Sequence, residues 1–309
     1  MKNWIKGLFS GSEGAPSATV AEAAAQAADI GPEVDATYYR WLTAMFGYRA
    51  PAEVEERLLE EVRKITLAPS EAEGLVPRVP EVIPQLLRSL RDDGVSANQL
   101  SRQVQQDVVL TAEVIREANS AYYNPISPAE TIEAAIMMLG QNGLRMLLAR
   151  LAFRPLIKMQ SEGFARAAAA NLWSHSEKCA LASSIVASNK GAGVFESYLA
   201  GLMQDVGLIV AFRLAAQVCP DNKIPGSSEF GAKLLDASRE LSASIATHWD
   251  FPDAVVDAIS QAGDPGESRV AQALALGDRI AKLSQLLDKG VLQEDDPFIT
   301  QGLDAFQRR

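Results

Sequence analysis

From Val34 to Leu283 the apolar residues return with helical spacing, and no stretch keeps the strict alternation that a half-buried strand needs. After Pro80, the residues Val82, Ile83, Leu86, Leu87 and Leu90 form an i, i+1, i+4, i+5, i+8 stripe that Asp-Asp-Gly at 92–94 stops. Ser96 is placed to cap the next helix, which carries Leu100 and Val104. A further one runs through Leu110, Val114, Ile115 and Ala118. Ile132, Ala135, Ile136 and Leu139 predict a helix ended by Gly140, and Leu144, Leu147, Leu148 and Leu151 one closed before Pro155. An Ala-rich segment from about Phe164 to Ser188 leads into ESYLAGLMQDVGLIVAFRLAAQV, ELSASIATHW, PDAVVDAIS and a long helix through Val270, Leu274, Ile280 and Leu283. No repeat of fixed period exists, which argues against a solenoid. The pattern predicts an all-α fold with short connections.

The N-terminal part is different in kind. Residues 10–36 are rich in Ala, Gly, Ser and Pro and read as a linker or loose arm. Before them Trp4, Ile5, Leu8 and Phe9 would share one helical face opposite Lys2 and Lys6, a frayed tail or docking segment rather than a membrane anchor. Tyr38, Trp41, Leu42 and Met45 predict a helix ended near Gly47. Pro51 stands at the first turn of a second one, AEVEERLLEEVRKI. The breaker-rich APSEAEGLVPRVP then marks a boundary.

Composition narrows the function classes. Apolar residues are 48 % of the 309, so a large core is available. Lys and Arg number 29 against 39 Asp and Glu, a formal charge of −10, which argues against sequence-independent nucleic-acid binding. Cys179 and Cys219 lie in apolar stretches and make no disulfide framework, pointing to a reducing cytoplasm. Arg145, Arg150 and Arg213 interrupt the longest apolar runs, and no transmembrane segment of roughly 18 uninterrupted apolar residues is expected.

Several segments, taken in order, carry a family resemblance. They are VPRVPEV at 76–82, DVVLTAEVIREANSAYY at 107–123, TIEAAIMMLGQNGLR at 131–145, LWSHS at 172–176, YLAGLMQDVG at 198–207 and HWDFPDAVVDAI at 248–259. From about Val76 to Lys282 the chain resembles the HDOD family, the HD-related output domains of bacterial signalling proteins. The resemblance implies two packed helical lobes at about 76–155 and 160–285, within an HDOD domain at 76–285. A flexible arm (1–33) and an N-terminal helical extension (34–70) precede it, and a tail (286–309) follows.

Catalytic HD domains hold metal with a His, a consecutive His-Asp pair and a distant Asp, and metal-activated water attacks phosphate. The resemblance assigns these positions to His175, Gln204–Asp205 and Asp278. Gln204 is the departure, since a neutral amide oxygen is a far weaker donor than imidazole. Leu208 also follows Gly207 where active relatives often carry lysine, and the accessory His positions fall near Ser238 and Ala262. His248 matches no ligand position. The implied site is vestigial: no metal, no cofactor and no catalytic residue is expected. Asn119, Ser120, Gly140, Trp173 and Trp249 stand at family-motif positions that suit an architectural role.

Each residue also has a plain structural reading. His175 is expected to hydrogen-bond Asp205 or a backbone carbonyl, Asp205 to cap or orient a helix turn, and Asp278 to be solvated or salt-bridged. Asn119 fits a left-handed helix cap. Cys179, one turn from His175, reads as inert packing. Arg145, Arg150, Arg154 and Lys158 read as a solvated face with the option of meeting an anionic ligand.

The leading functional expectation is a non-catalytic signal-transduction module acting through contacts with other signalling proteins or with itself. The alternatives are a metal-dependent HD-type phosphohydrolase acting on a nucleotide or phosphoester, and a sensor of a small anionic ligand in the vestigial pocket.

Overall fold

A computed structural model describes residues 30–44, 47–72, 74–76, 97–105, 108–120, 126–158, 163–219, 221 and 223–299. Residues 1–29 of the expected arm, 300–309 of the expected tail, the stripe at Val82–Leu90 with Ser96, and Met45 and Phe46 lie outside the described residues. The described part of the tail belongs to the body, since the last helix runs on to Asp288 and Leu292 and Ile299 are buried. The fold is all-α. In chain order the helices are α1 (Gly31–Thr43), α2 (Ala52–Leu67), α3 (Ala97–Gln105), α4 (Val108–Ala118), α5 (Ile132–Lys158), α6 (Gly163–Lys190), α7 (Val194–Met203), α8 (Val206–Val218), α9 (Ser228–His248), α10 (Asp253–Gln261) and α11 (Arg269–Asp288).

Sequence chemistry sets several boundaries. Pro51 occupies the N-cap of α2 in extended conformation, and Ser227 caps α9 by accepting from the Phe230 N–H. Ser268 caps α11 in the same way through Ala271 N–H. Gly140, at φ 65° and ψ 176°, breaks α5 where the spacing predicts a stop. A side chain there would be strained whatever room it found. The second half of α5 differs from expectation, because it runs through Pro155 to Lys158. The proline removes the N–H that would bond to residue 151 and crowds that carbonyl, a local cost that the helix bears for one more turn before it ends.

The apolar stretch 194–218 is long and apolar enough to cross a membrane by composition, but Gln204–Asp205 divides it into α7 and α8, and it is buried in the fold. These two helices pack against the 28-residue α6, which also carries α11 along its length. Gly277 makes that last approach close. A Cβ at this position would clash with Ser183 Oγ and lie 2.6 Å from Ser183 N. The neighbouring residue, Asp278, is thereby brought against α6.

The helices before residue 70 belong to the same core as the body. Tyr38, Tyr39, Leu58 and Val62 are almost wholly buried in one apolar cluster with Leu199, Leu234 and Leu241. Polar contacts fasten them too: Tyr39 Oη donates to Pro225 O at 2.6 Å, and Ser244 Oγ to Thr66 O at 2.6 Å. A two-residue parallel pair, β1 (Gly47–Tyr48) with β2 (Ile224–Pro225), ties the α1–α2 connection to the α8–α9 connection. Pairs this short leave no alternation in the sequence, so the pattern gave no sign of them.

Candidate functional site

α6, α11 and the α7–α8 junction converge on His175, whose side chain is fully buried. Its Nδ1–H donates to Asp205 Oδ2 at 2.6 Å, and Ser176 Oγ donates to the same oxygen at 2.9 Å. Asp205 occupies the N-cap position of α8, yet its carboxylate caps no N–H there. The expected capping role is replaced by a hold on α6. On the other side, His175 Nε2 lies 3.2 Å from Asp278 Oδ1. The two attract as charges, but the alignment is too poor for a hydrogen bond.

Gln204 completes this face. Its Nε2 donates to Asp278 Oδ1 at 2.9 Å and lies 3.0 Å from Cys179 Sγ. The amide must point this way, since its oxygen beside a carboxylate would set two acceptors together. The structure thus brings His175, Gln204, Asp205 and Asp278 into one buried cluster.

Sequence reasoning missed four further members of this cluster. Lys282, one turn after Asp278 on α11, has a side chain only 5 % exposed, and donates 2.7 Å to Asp278 Oδ2 and 2.6 Å to Asp35 Oδ1. Asp35 comes from α1, and Arg239 Nη2 of α9 lies 3.4 Å from its other oxygen. Tyr38, three residues on and therefore on the same face of α1, stands with its ring 5.0 Å from the His175 ring and 5.7 Å from Lys282 Nζ. The Asp278/Lys282 spacing of four was a legible ion-pair signal. Nothing local in the sequence links Asp35 to residues more than 200 positions away.

The electrostatics follow from this packing. Burial opposes the charged form of His175, but Asp205 and Asp278 outweigh it and push its pKa up to about 9, so the ring is an imidazolium at neutral pH. Burial likewise opposes charge on Asp278 and Lys282, and again the partners prevail. Lys282 and His175 hold the Asp278 carboxyl well below the usual range, while Asp278 and Asp35 hold the Lys282 ammonium above its own. Burial, with the nearby carboxylates, raises the Cys179 thiol well above its ordinary value, which leaves it protonated and unreactive.

HD relatives imply a divalent metal, and this arrangement does not fit one. His175 Nδ1 is already committed to Asp205, and Lys282 Nζ occupies the Oδ2 side of Asp278 at 2.7 Å. Gln204 presents its nitrogen, and an ammonium already supplies the positive charge that Asp278 requires. Among the described residues no group of three His, Cys, Asp or Glu side chains is arranged to hold a metal ion.

The motif residues have separate places. Asn119 forms no left-handed cap; among described residues other than glycine only Asp221 and Asp250 have positive φ. Its N–H still donates to Ile115 O, and its amide brackets Ala129, donating to its carbonyl at 2.8 Å and accepting from its N–H at 2.7 Å. Ser120 Oγ is buried and finds no hydrogen-bond partner among the described residues. Trp249 is buried and stacks on Phe153 at 6.5 Å, and Trp173 is buried on α6. Ser238 turns its hydroxyl to Leu235 O, and His248 is exposed at the end of α9.

The expected solvated face is at most half-exposed over its described part, Arg150 and Arg154 being half-buried. Arg145 is 4 % exposed. Arg150 joins Glu117 of α4 and, at 3.6 Å, Glu177 of α6. Lys158 has no described side chain. Unmatched spacing along one helix is no guide to exposure when helices pack on several sides of it.

The family model of the HDOD domain matches residues 76–265. The fold is similar to that of an HDOD domain protein of unknown function from Geobacter sulfurreducens (23 % identity, 81 % of this chain and 89 % of that one, TM-score 0.59). It is also similar to a protein of Shewanella amazonensis provisionally named a metal-dependent phosphohydrolase (19 % identity, 82 % and 98 %, TM-score 0.56). A third likeness is to a Marinobacter aquaeolei protein provisionally named for signal transduction (20 % identity, 90 % and 64 %, TM-score 0.52). An uncharacterized protein of Treponema pallidum is 21 % identical over 193 residues, 60 % of this chain, which spans 37 % of that protein's length. At these identities the solved structures speak for the fold alone. The matched span, longer than half the sequence, decides the family: this chain belongs to the HDOD domain family.

Proposed function

We propose that this protein is a non-catalytic signal-transduction module that works through contacts with other proteins, or with itself, in the cytoplasm. One observation carries the reading. The pocket in which HD relatives hold metal contains a closed set of internal ion pairs, Asp205–His175–Asp278–Lys282–Asp35. A site whose donors are spent on one another offers neither a Lewis acid nor an activated water to a phosphoester. What it does offer is a rigid junction among α1, α6, the α7–α8 turn and α11. Packed helices tend to occupy discrete arrangements, so a partner that favours one of them changes the others. The two buried thiols, Cys179 and Cys219, support a reducing compartment.

The test is affinity capture with the full-length chain, run beside a phosphate-release assay on nucleotides and phosphodiesters in Mn²⁺ and Mg²⁺. The reading expects specific recovery of a signalling protein or of the chain itself, and no metal-dependent phosphate release. Release that disappears in Asp205→Ala would establish the phosphohydrolase instead.

A further inference from the structure

Lys282 stands between carboxylates from two helices. Its Nζ lies 2.6 Å from Asp35 Oδ1 on α1 and 2.7 Å from Asp278 Oδ2 on α11. Mg²⁺ and Ca²⁺ keep roughly 2.0–2.6 Å from carboxylate oxygens, so the ammonium holds a place of nearly the size that a hard divalent cation needs. His175 Nε2 approaches the same Asp278 carboxylate from the Oδ1 side, at 3.2 Å, fully buried and with no hydrogen bond among the described residues. Arg239, paired with Asp236, keeps to the other oxygen of Asp35 and leaves Oδ1 to the lysine.

Two properties make Lys282 a stronger barrier to metal than Gln204. It is tethered one turn after Asp278 on the same helix, so its effective concentration at that carboxylate is high and does not depend on supply. It is also charged. A divalent ion on the same two carboxylates would meet the ammonium at contact distance, where a side chain only 5 % exposed has little water to screen it. Gln204 takes away one imidazole donor but brings no repulsion. Entry of an ion needs no movement of α1, because Asp35 and Asp278 are both partly exposed while Tyr38 and Tyr39 stay in the core.

We propose that the seat of the Lys282 ammonium is a divalent-cation site occupied from within the chain, and that Lys282 rather than Gln204 excludes metal from this pocket. This deepens the functional reading and rests on it in taking the native pocket to be free of metal. The consequence is a junction of α1 with α11 held by a cation that cannot dissociate, so its closed form is independent of metal supply.

The experiment uses full-length wild type, Lys282→Ala and Gln204→His, stripped with a chelator and titrated with Mn²⁺ at matched ionic strength. Binding is read from the loss of the free Mn²⁺ electron paramagnetic resonance signal, with thermal unfolding followed in parallel. Lys282→Ala should melt below the wild type and bind one Mn²⁺ per chain. At about ten times the dissociation constant its Tm should rise by about 2–5 °C. Gln204→His, which restores the imidazole but keeps the ammonium, should bind at least about tenfold more weakly, as should Lys282→Ala/Asp35→Asn, which lacks one carboxylate. No binding by Lys282→Ala, or equal binding by Gln204→His, overturns the proposal. If Lys282→Ala is unfolded without metal, Mn²⁺ should restore its helical circular dichroism. Failure of both Lys282→Ala and the bulkier Lys282→Gln to recover in Mn²⁺ overturns the proposal as well. One Mn²⁺ held by the wild type overturns the functional reading together with the proposal, whereas a metal-free wild type beside a Lys282→Ala protein that takes no Mn²⁺ overturns the proposal alone.

Discussion

His175 shows how far two carboxylates can carry a buried imidazole. Its pKa is raised from 6.5 to about 9, so the stability it lends is fully present below about pH 6.5 and is lost as the pH rises through about 9. The wild type should therefore lose stability between these values in a denaturant titration, and His175→Gln should flatten that part of the profile. At pH 7 the same variant should be destabilised by roughly 3 kcal/mol, since it breaks a buried charge network at its centre. A flat profile in the wild type would show that the ring is neutral in the folded protein. Lys282→Met should cost about 3–5 kcal/mol for the same reason, with two carboxylates left facing each other, and Asp35→Asn in the same chain should recover part of the loss. The His175, Gln204, Asp205 and Asp278 positions were legible because motif order and residue type named them. Asp35 was not, because its role depends on which helices meet, and apolar periodicity reports a buried face without reporting its neighbour.

Among the elements, α6 and α11 meet where side chains are smallest. Gly277→Ala places a methyl group against Ser183, and its backbone nitrogen cannot yield as a side chain could. The substitution should destabilise the fold by about 1–3 kcal/mol and, by moving Asp278 away from His175, lower the imidazole pKa as followed by NMR titration. An unchanged pKa would separate the helix contact from the charge network. Helix existence and the break at Gly140 were readable because spacing and glycine act locally. The passage of α5 through Pro155 was not, since proline disfavours a helix interior without forbidding it. Exposure of the α5 arginines was misjudged because Glu117 and Glu177 reach Arg150 from two other helices. That junction links the Ala-Asn-Ser helix to the helix bearing His175, and Arg150→Met should weaken whatever coupling the two lobes have.

For the whole molecule, the sequence suggests an appendage before residue 70, and a truncation at that point would be expected to leave a folded body. The shared core alters that expectation. Tyr38, Tyr39, Leu58 and Val62 are each no more than 1 % exposed, and removal of α1 and α2 bares the surfaces they cover on α9 and α11. Deleting residues 1–70 should lower Tm and increase binding of a hydrophobic dye, whereas an unchanged Tm would return α1 and α2 to the status of an attachment. The central claim concerns the pocket that these helices close, where ion pairs within the chain take the place of a metal centre. Metal analysis of the purified full-length protein, after dialysis against a mild excess of Mn²⁺ or Fe²⁺, tests it most directly. The account predicts far less than one ion per chain, unchanged in Asp205→Ala. One tightly held ion per chain, lost in that variant, would contradict it.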